Sequence, residues 1–566
     1  MSSTKRSIKD LSRSLAIIAI ILLIAFIGQS LYFRIDLTKE KRYKLSSETK
    51  SILKKLDETV IIKVYLAGEL NIQLNSFQNS IRDLLEEFRV YGRRNIQFEF
   101  VDPFDKVLPQ EHAKVVEMLY EKGLKPVNIH HRKKDGSVTE KLIIPGASVN
   151  FNGVEIALNL LLNDPSKSSE ENLNNSIESL EYSFISAIKN LTTTQFKKIA
   201  FIEGHGEWPD EFLSDIMHEL SKSFQVDRGR INAQPGILDP YACVIIAGPV
   251  SKFSEADKFV LDQYLMKGNS ILWLLDGVNV DFDSLAVGYS IALPNELNLE
   301  DMLFRYGARI NPVLVQDAQC NELVVNIALA GNKPKFERVP WLYYPIISPN
   351  TEHMVTHNLN MVLTRFVSSI DTIEGRTNIK KTPLLTTSSY SRSIKTPAVV
   401  ELQEMNNPPL PEELKEQNIL AGVLLEGAFE SVFKNRMIEN YFDGEPPAVI
   451  KNGQSAKMAV IADADIIRND IVRTENGAES LPLGFDRATN RTFGNKQFLV
   501  NLISYLSGDT ELIQLRNREI KLRLLNKAKL SDERFKWQVI NMVSPLVLLI
   551  VLGIAYNTYR PYRYSK

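Results

Sequence analysis

The sequence predicts an α/β protein carried by two membrane-spanning helices, and three observations predict it. Two uncharged apolar runs stand near the ends, Leu15 to Phe33 ("LAIIAIILLIAFIGQSLYF") and Val539 to Tyr556 ("VINMVSPLVLLIVLGIAY"). Each is close to the ~20 residues that a helix needs to cross a bilayer. Between them, continuous apolar strands such as "ACVIIAG" and "SILWLLDG" alternate with amphipathic helices such as "DEFLSDIMHELSKSF". That alternation is the pattern of a parallel sheet covered on both faces. With 566 residues, the chain is long enough for two or three domains, each burying its own core.

The first run follows a tail, residues 1–14, that carries Lys5, Arg6, Lys9 and Arg13. The second, taken as residues 538–557, precedes a tail, 558–566, with Arg560, Arg563 and Lys566. Both basic tails point to the cytoplasm, which puts the body on the far side. The inner flanks are basic as well, but the rule is counted over short segments and long domains translocate largely regardless of charge. "GQS" at Gly28 to Ser30 also allows a signal-peptide reading, against which the run exceeds an ordinary h-region of roughly 7–15 residues. Pro545 is tolerated in a membrane helix where neighbouring groups satisfy the freed carbonyl.

The net charge of -1 and the absence of Lys/Arg runs interleaved with aromatics leave no footprint for nucleic acid. Cys243 and Cys320 are the only cysteines, which excludes a disulfide framework or a thiolate metal site.

Residues 34–163 read as a small α/β domain. Ser46 or Ser47 caps a first helix, then "TVIIKVYLAG", "FQNSIRDLLEEFRVYG" and "IQFEFVDPF" form a βαβ unit. "VNIHHRKKDGSVTEKLIIPGASVNF" is a hairpin turning at Asp135-Gly136. The layout is thioredoxin-like, but the segment has no cysteine and so no redox chemistry. The polar stretch 164–176 reads as a linker. A larger α/β domain, 177–515, then opens on a helix with Ile177, Leu180, Phe184, Ile188 and Leu191 on one face. Its sheet core is expected over 195–284 and 455–508, with 285–454 inserted between. Ser254 caps one of its helices, with Glu255 and Asp257 in the first turn.

Walker A, dinucleotide-fingerprint and nucleophile-elbow patterns are absent, so any ATP-driven work falls to a partner. The loop "FIEGHGEWPD" sits where an α/β sheet usually places ligands, after a strand and before a helix. Glu203, Gly204, His205, Gly206 and Glu207 form the candidate contact site: a base or metal ligand set, or an anion site at a helix start. A structural turn accounts for the same residues, since the glycines permit a tight turn and Pro209, Asp210 and Glu211 suit a helix start. No nucleophile accompanies the histidine, so no catalytic residue is assigned. His353 and His357 have the spacing of a helical zinc site, but the sequence after them reads as strand, so no metal is assigned either. Residues 516–537 are basic, with Arg516, Arg518, Lys521, Arg523, Lys527 and Lys529 among apolar residues. They are candidates for contact with anionic membrane lipid, or a solvated approach to the membrane.

"RIDLTKEKRYKLSSETKSILKKLDETVIIKVYLAG", "FIEGHGE", "YGARINPVLVQD", "TPLLTTSSYSR" and "IADADIIRND…FGNKQFLVNLISYLSGD" in this order resemble the GldG family of gliding-motility ABC-transporter components, over nearly the whole chain. The resemblance implies a substrate-binding or accessory subunit in the inner membrane, two-pass, with its body in the periplasm. Its partners would be a GldF-like permease and a GldA-like cytoplasmic ATPase, with room for a homo-oligomer within the complex and no cofactor. It also implies that Lys197 to Ser284 is similar to a domain of intraflagellar transport proteins, itself similar to class-I amidotransferase-like sheets. Those enzymes place a cysteine on a sharp turn where this chain offers Pro249 and Asp276-Gly277. A binding role at His205 is therefore expected over turnover; an extracytoplasmic hydrolase using His205 with Glu203 or Glu207, and a scaffold without a ligand pocket, are the rival expectations.

Overall fold

The computed structural model describes residues 45–105, 107–132, 138–162, 168–326, 333–374, 379–442, 447–474, 477–516 and 527–564. The fold is mixed α/β with several sheets. The chain divides into two compact units, residues 43–519 and residues 1–42 with 520–566. The first apolar run and the tail before it lie outside the described residues.

Near the amino end of the first unit, Ser46 accepts the Thr49 N–H and caps α1 (Ser47–Lys54). Strand β1 (Val60–Val64) alternates buried and exposed residues, which fixes its inner face. The helix α2 (Ile72–Gly92) buries Phe77, Ile81, Leu85 and Phe88 at helical spacing against it. β1 pairs in parallel with β2 (Ile96–Phe100) and antiparallel with β3 (Gly146–Phe151), which continues to β4 (Val154–Asn159). The hairpin pairs Val127–Arg132 with Val138–Ile143, its tip at residues 133–137 being outside the description.

The expected linker 164–176 is corrected. Ser168 and Glu171 form a capping box that starts α3 (Ser169–Thr192), so residues 169–176 are its first two turns. Their polarity does not prevent burial: Asn172 and Ser176 are buried, and Ser176 Oγ accepts the Leu162 N–H at 2.8 Å. Further along, α3 buries Leu180, Phe184 and Ile188 in the core of the small sheet.

The large sheet runs, in spatial order, through β10 (Cys320–Asn326), β11 (Phe336–Pro349), β12 (Lys380–Thr386), β13 (Leu420–Glu430), β14 (Asn452–Ile461), β8 (Ser270–Leu274), β7 (Cys243–Ala247), β5 (Lys198–Glu203) and β6 (Gln225–Arg230). Strands β14, β8, β7, β5 and β6 are parallel. β10 to β13 are antiparallel additions. The expected parallel sheet is thus mixed: among the described residues the insertion 285–454 supplies five of its strands, β10 to β13 and the short Val362–Leu363 paired with β11, because β13 is apolar enough to lie buried against β14 and so extends the sheet.

Two cores form, one on each face. One holds Ile216 and Leu220 of α4 (Asp210–Ser221) with Phe498 and Leu502 of α7 (Asn495–Leu506). The other holds Leu261 and Leu265 of α5 (Glu255–Met266) with Met302 of α6 (Glu300–Tyr306). A short helix, α8 (Glu511–Arg516), puts Leu512 and Leu515 into the core of the small sheet.

In the second unit, α9 (Lys527–Tyr564) contains one stretch, Phe535–Tyr559, long and apolar enough to cross a membrane. Trp537 and Tyr556 lie 19 positions apart, ~29 Å along a helix. That separation places an aromatic ring near each face of a hydrocarbon layer of ~30 Å.

Candidate functional site

β5 ends at Glu203, and Gly204 (φ 121°) and Gly206 (φ 81°) turn the chain inward. A side chain at Gly206 would place its Cβ 2.4 Å from Val250 Cγ2, so only glycine fits there. The inward turn buries His205 and Glu207, each 7% exposed. His205 Nδ1 lies 3.1 Å from Glu207 Oε1 and Nε2 lies 3.4 Å from Asp257 Oδ2. The His205 N–H donates to Glu207 Oε2 at 2.7 Å, and its carbonyl accepts the N–H groups of Val250 and Ser251. The ring stacks on Phe253 at 3.7 Å between centroids.

Burial alone would depress the basicity of this imidazole. Hydrogen bonds and charge from Asp257 and Glu207 outweigh it and raise the pKa to about 9. Burial works against the Asp257 carboxylate too, and its bonds from His205, Ala233 and Ser254 hold it below its ordinary value. The group is therefore an imidazolium fixed between two carboxylates, with both ring nitrogens engaged.

Glu203 does not join it. Arg228 on β6 donates to Glu203 Oε2 at 3.2 Å, to the Trp208 carbonyl at 2.7 Å and to Asp210. That arginine holds both ends of the turn, and the sequence reading misses it. Asp257 is noted in the sequence only as a helix-start acid; that role is real, since Ser254 caps α5 by accepting the Asp257 N–H, but its side chain also reaches the histidine.

Trp208 covers the carboxyl ends of the central strands. Its Nε1–H donates to the Ala464 carbonyl at 3.2 Å. Gly248 (φ 67°) makes room for it, since a Cβ there would stand 2.5 Å from Trp208 Nε1. Arg468 stacks over Trp208 and Phe212 at 4.5 and 4.6 Å and donates to Asp465 at 3.1 Å. The indole thus packs over the turn after β7, while Leu275, Asp276 and Gly277 at the end of β8 line an open cleft.

Beside it stands a group that the sequence reading does not find, although the acids of "IADAD" after an apolar strand signal it. Asp276 follows β8, and Asp463 and Asp465 follow the neighbouring β14. Asp276 Oδ1 accepts the Ala464 N–H at 2.7 Å, and Asp463 accepts the N–H groups of Arg365 and Asp465. Burial first, then the Asp465 charge, pushes Asp276 up to about 7, and the same two causes carry Asp463 well above the carboxylate range.

Among the described residues, no group of three or more His, Cys, Asp or Glu has the geometry to hold a metal ion. His353 Nδ1 accepts the Val355 N–H, while His357 Nδ1 faces the Thr351 carbonyl, so the two rings serve separate turns. Arg516 donates to Asn501 Oδ1 at 2.5 Å and to the Tyr182 hydroxyl at 2.6 Å. Its guanidinium is thereby engaged within the body by α7 and α3. Arg518, Lys521 and Arg523 lie outside the described residues; Lys527 and Lys529 fall in the first turn of α9.

Residues 196–502, more than half of the chain, match the family model of an ABC-type uncharacterized transport system, the ABC_transp_aux family. The chain belongs to this family. Residues 39–150 match a domain of unknown function, DUF7088. An uncharacterized protein of Borreliella burgdorferi is 19% identical over 571 residues, with 98% of each chain covered. The mmIFT52 N-terminal domain overlaps 55% of this chain and 97% of its own at 14% identity, with a TM-score of 0.32, too loose to define a common fold. The ABC_transp_aux match spans the His205 turn, Trp208 and the three aspartates. It makes this chain an auxiliary component associated with an ABC transport system, and its apolar α9 suggests membrane association.

Proposed function

We propose that the protein is a non-catalytic, membrane-anchored accessory subunit of a gliding-motility ABC transporter, coupling an envelope ligand or protein to a GldF-like permease and a GldA-like ATPase. In this reading both anchors cross the inner membrane and the body lies in the periplasm. The sequence resemblance to the GldG family supports the gliding assignment and the partners, and the family match supports the transporter. The observation that carries the non-catalytic part is the engagement of both His205 ring nitrogens by Glu207 and Asp257. A general base must present a free nitrogen to its substrate. Likeness of the two sheets to thioredoxin and amidotransferase-like folds would then be one of layout alone.

The test is ATP hydrolysis by the permease and ATPase in vesicles, with and without this chain. The reading expects the chain to change the rate or its response to cargo, and His205→Gln to keep that effect wherever the variant remains folded. A hydrolytic activity of the isolated chain that His205→Gln abolishes would replace this reading with the hydrolase.

A further inference from the structure

Asn541 stands on the apolar stretch of α9, with its side chain exposed and without a hydrogen-bond partner among the described residues. It lies four positions past Trp537, the ring near one face of the hydrocarbon layer, or ~6 Å along the helix. An amide left unpaired in hydrocarbon is costly. The backbone carbonyl of the same residue needs a donor too. Pro545 stands one helical turn further on and has no N–H to give it. α9 therefore presents the Asn541 amide and carbonyl together, and both call for a partner from another element.

The first apolar run, residues 15–33, lies outside the described residues, but its sequence carries a matching group. Gln29 is three positions before Tyr32, ~5 Å along a helix. In an antiparallel pair it stands level with Asn541. The two runs keep the same register beyond that point. From Asn541, one face of α9 continues through Pro545, Leu548, Leu552 and Ala555, at steps of four, three, four and three. From Gln29 toward the amino end, Ala25, Leu22, Ile18 and Leu15 follow at the same steps. Alternating steps of three and four keep one seam facing a partner helix. The small Ala25 falls opposite the Pro545 ring, which lets the two backbones approach there.

We propose that residues 15–33 pack antiparallel on this face of α9, the Gln29 amide donating to the Asn541 carbonyl that Pro545 leaves free and accepting from the Asn541 amide. The points at which the chain leaves the body favour this occupant over a second copy or a helix of the transporter. Leu45, just before α1, and Leu512 and Leu515 of α8 are buried in one core. Residues 34–44 lead from that core to the first run, and residues 517–526 lead to α9. Fully extended, each connection reaches about 40 Å at most, so each run holds the other at high local concentration. With both basic tails on one side of the membrane, antiparallel is the orientation open to them. The two anchors then act as one hairpin within each chain. This inference rests on the reading in which both anchors cross the membrane, and supplies the contact between them.

The experiment uses the full chain in its native membranes with Leu22→Cys and Leu548→Cys, which face each other in this register and leave Gln29 and Asn541 in place. Copper phenanthroline oxidises the pair, and the linked peptides are sequenced. The disulfide should close within one chain. Leu23→Cys with Leu548→Cys, roughly 100° around the helix from the seam, should close far more slowly. Gln29→Leu should slow the initial rate of the facing pair about threefold or more, the weight of one interhelical hydrogen bond in a bilayer. Pro545→Leu, which gives the Asn541 carbonyl an N–H, should shrink that effect. No link, links between two chains or to another protein, equal rates on and off the seam, a rate indifferent to Gln29→Leu, or a Gln29→Leu effect undiminished by Pro545→Leu would each overturn the proposal. The intact mass of the purified chain separates the two levels of failure. A chain shortened by cleavage near Ser30 strikes the two-anchor reading and the proposal together, whereas an intact chain without the link strikes the proposal alone.

Discussion

His205 Nε2 stands 3.4 Å from Asp257 Oδ2 across 52 residues of sequence, and this contact ties the turn after β5 to the first turn of α5. Glu207 holds the other ring nitrogen. A carboxylate on each side makes the imidazole a structural cation, so its chemistry should appear in stability.

The folded pKa of His205, about 9, stands above the ordinary 6.5. Its contribution is therefore fully present below pH 6.5 and is lost as pH rises through 9. His205→Gln should destabilise the protein most at pH 6 and least near pH 10, by on the order of 3 kcal/mol at most. Thermal unfolding of the full chain in detergent from pH 6 to 10 checks this. A difference that does not shrink with rising pH contradicts the imidazolium.

Asp276 has the same pH sense, but removing its charge should stabilise the protein. Its folded pKa, about 7, lies above the ordinary 3.8, so the folded state holds a proton that the unfolded state has released. The native protein should lose stability as pH climbs from 3.8 to 7. Asp276→Asn keeps an acceptor for the Ala464 N–H and removes the charge. Relative to the unsubstituted chain, its melting temperature should rise between pH 4 and pH 8; a constant or falling difference would contradict the buried neutral carboxyl.

Gly248→Ala brings a Cβ against the Trp208 indole at a backbone φ of 67°. The left-handed strain and the overpacking should together cost about 2–4 kcal/mol. Adding Trp208→Phe should recover part of the loss, read from urea midpoints. Loss without recovery would mean that Trp208 is not what Gly248 accommodates.

Arg516→Ala should loosen α8, since it removes bonds to both Asn501 and Tyr182. Amide exchange over Glu511–Arg516 should accelerate, with about 1–3 kcal/mol lost. Binding to anionic vesicles should be unchanged. The reverse pattern would return Arg516 to a lipid-facing role.

Local patterns are legible in the sequence. The strand, glycine turn and helix over Lys197 to Phe212 follow from apolar periodicity and turn chemistry, and the Ser254 cap from its spacing to Asp257. Long-range pairing is not. Asp257 looks like any helix-start acid until the fold lays it against His205, and Arg516 looks like a juxtamembrane cation until α3 and α7 supply its partners. The stretch 169–176 reads as a linker because it is polar; the Ser168–Glu171 capping box is the signal that corrects it. The antiparallel strands of 285–454 escape the sequence because their partners lie tens of residues away.

The most direct measurement is affinity purification of the full chain from native membranes in mild detergent, with its companions quantified by mass spectrometry. The account predicts an ABC permease and its ATPase in amounts comparable to the chain, and predicts that His205→Gln, where folded, retains both. Recovery of the chain without either transporter subunit would contradict it.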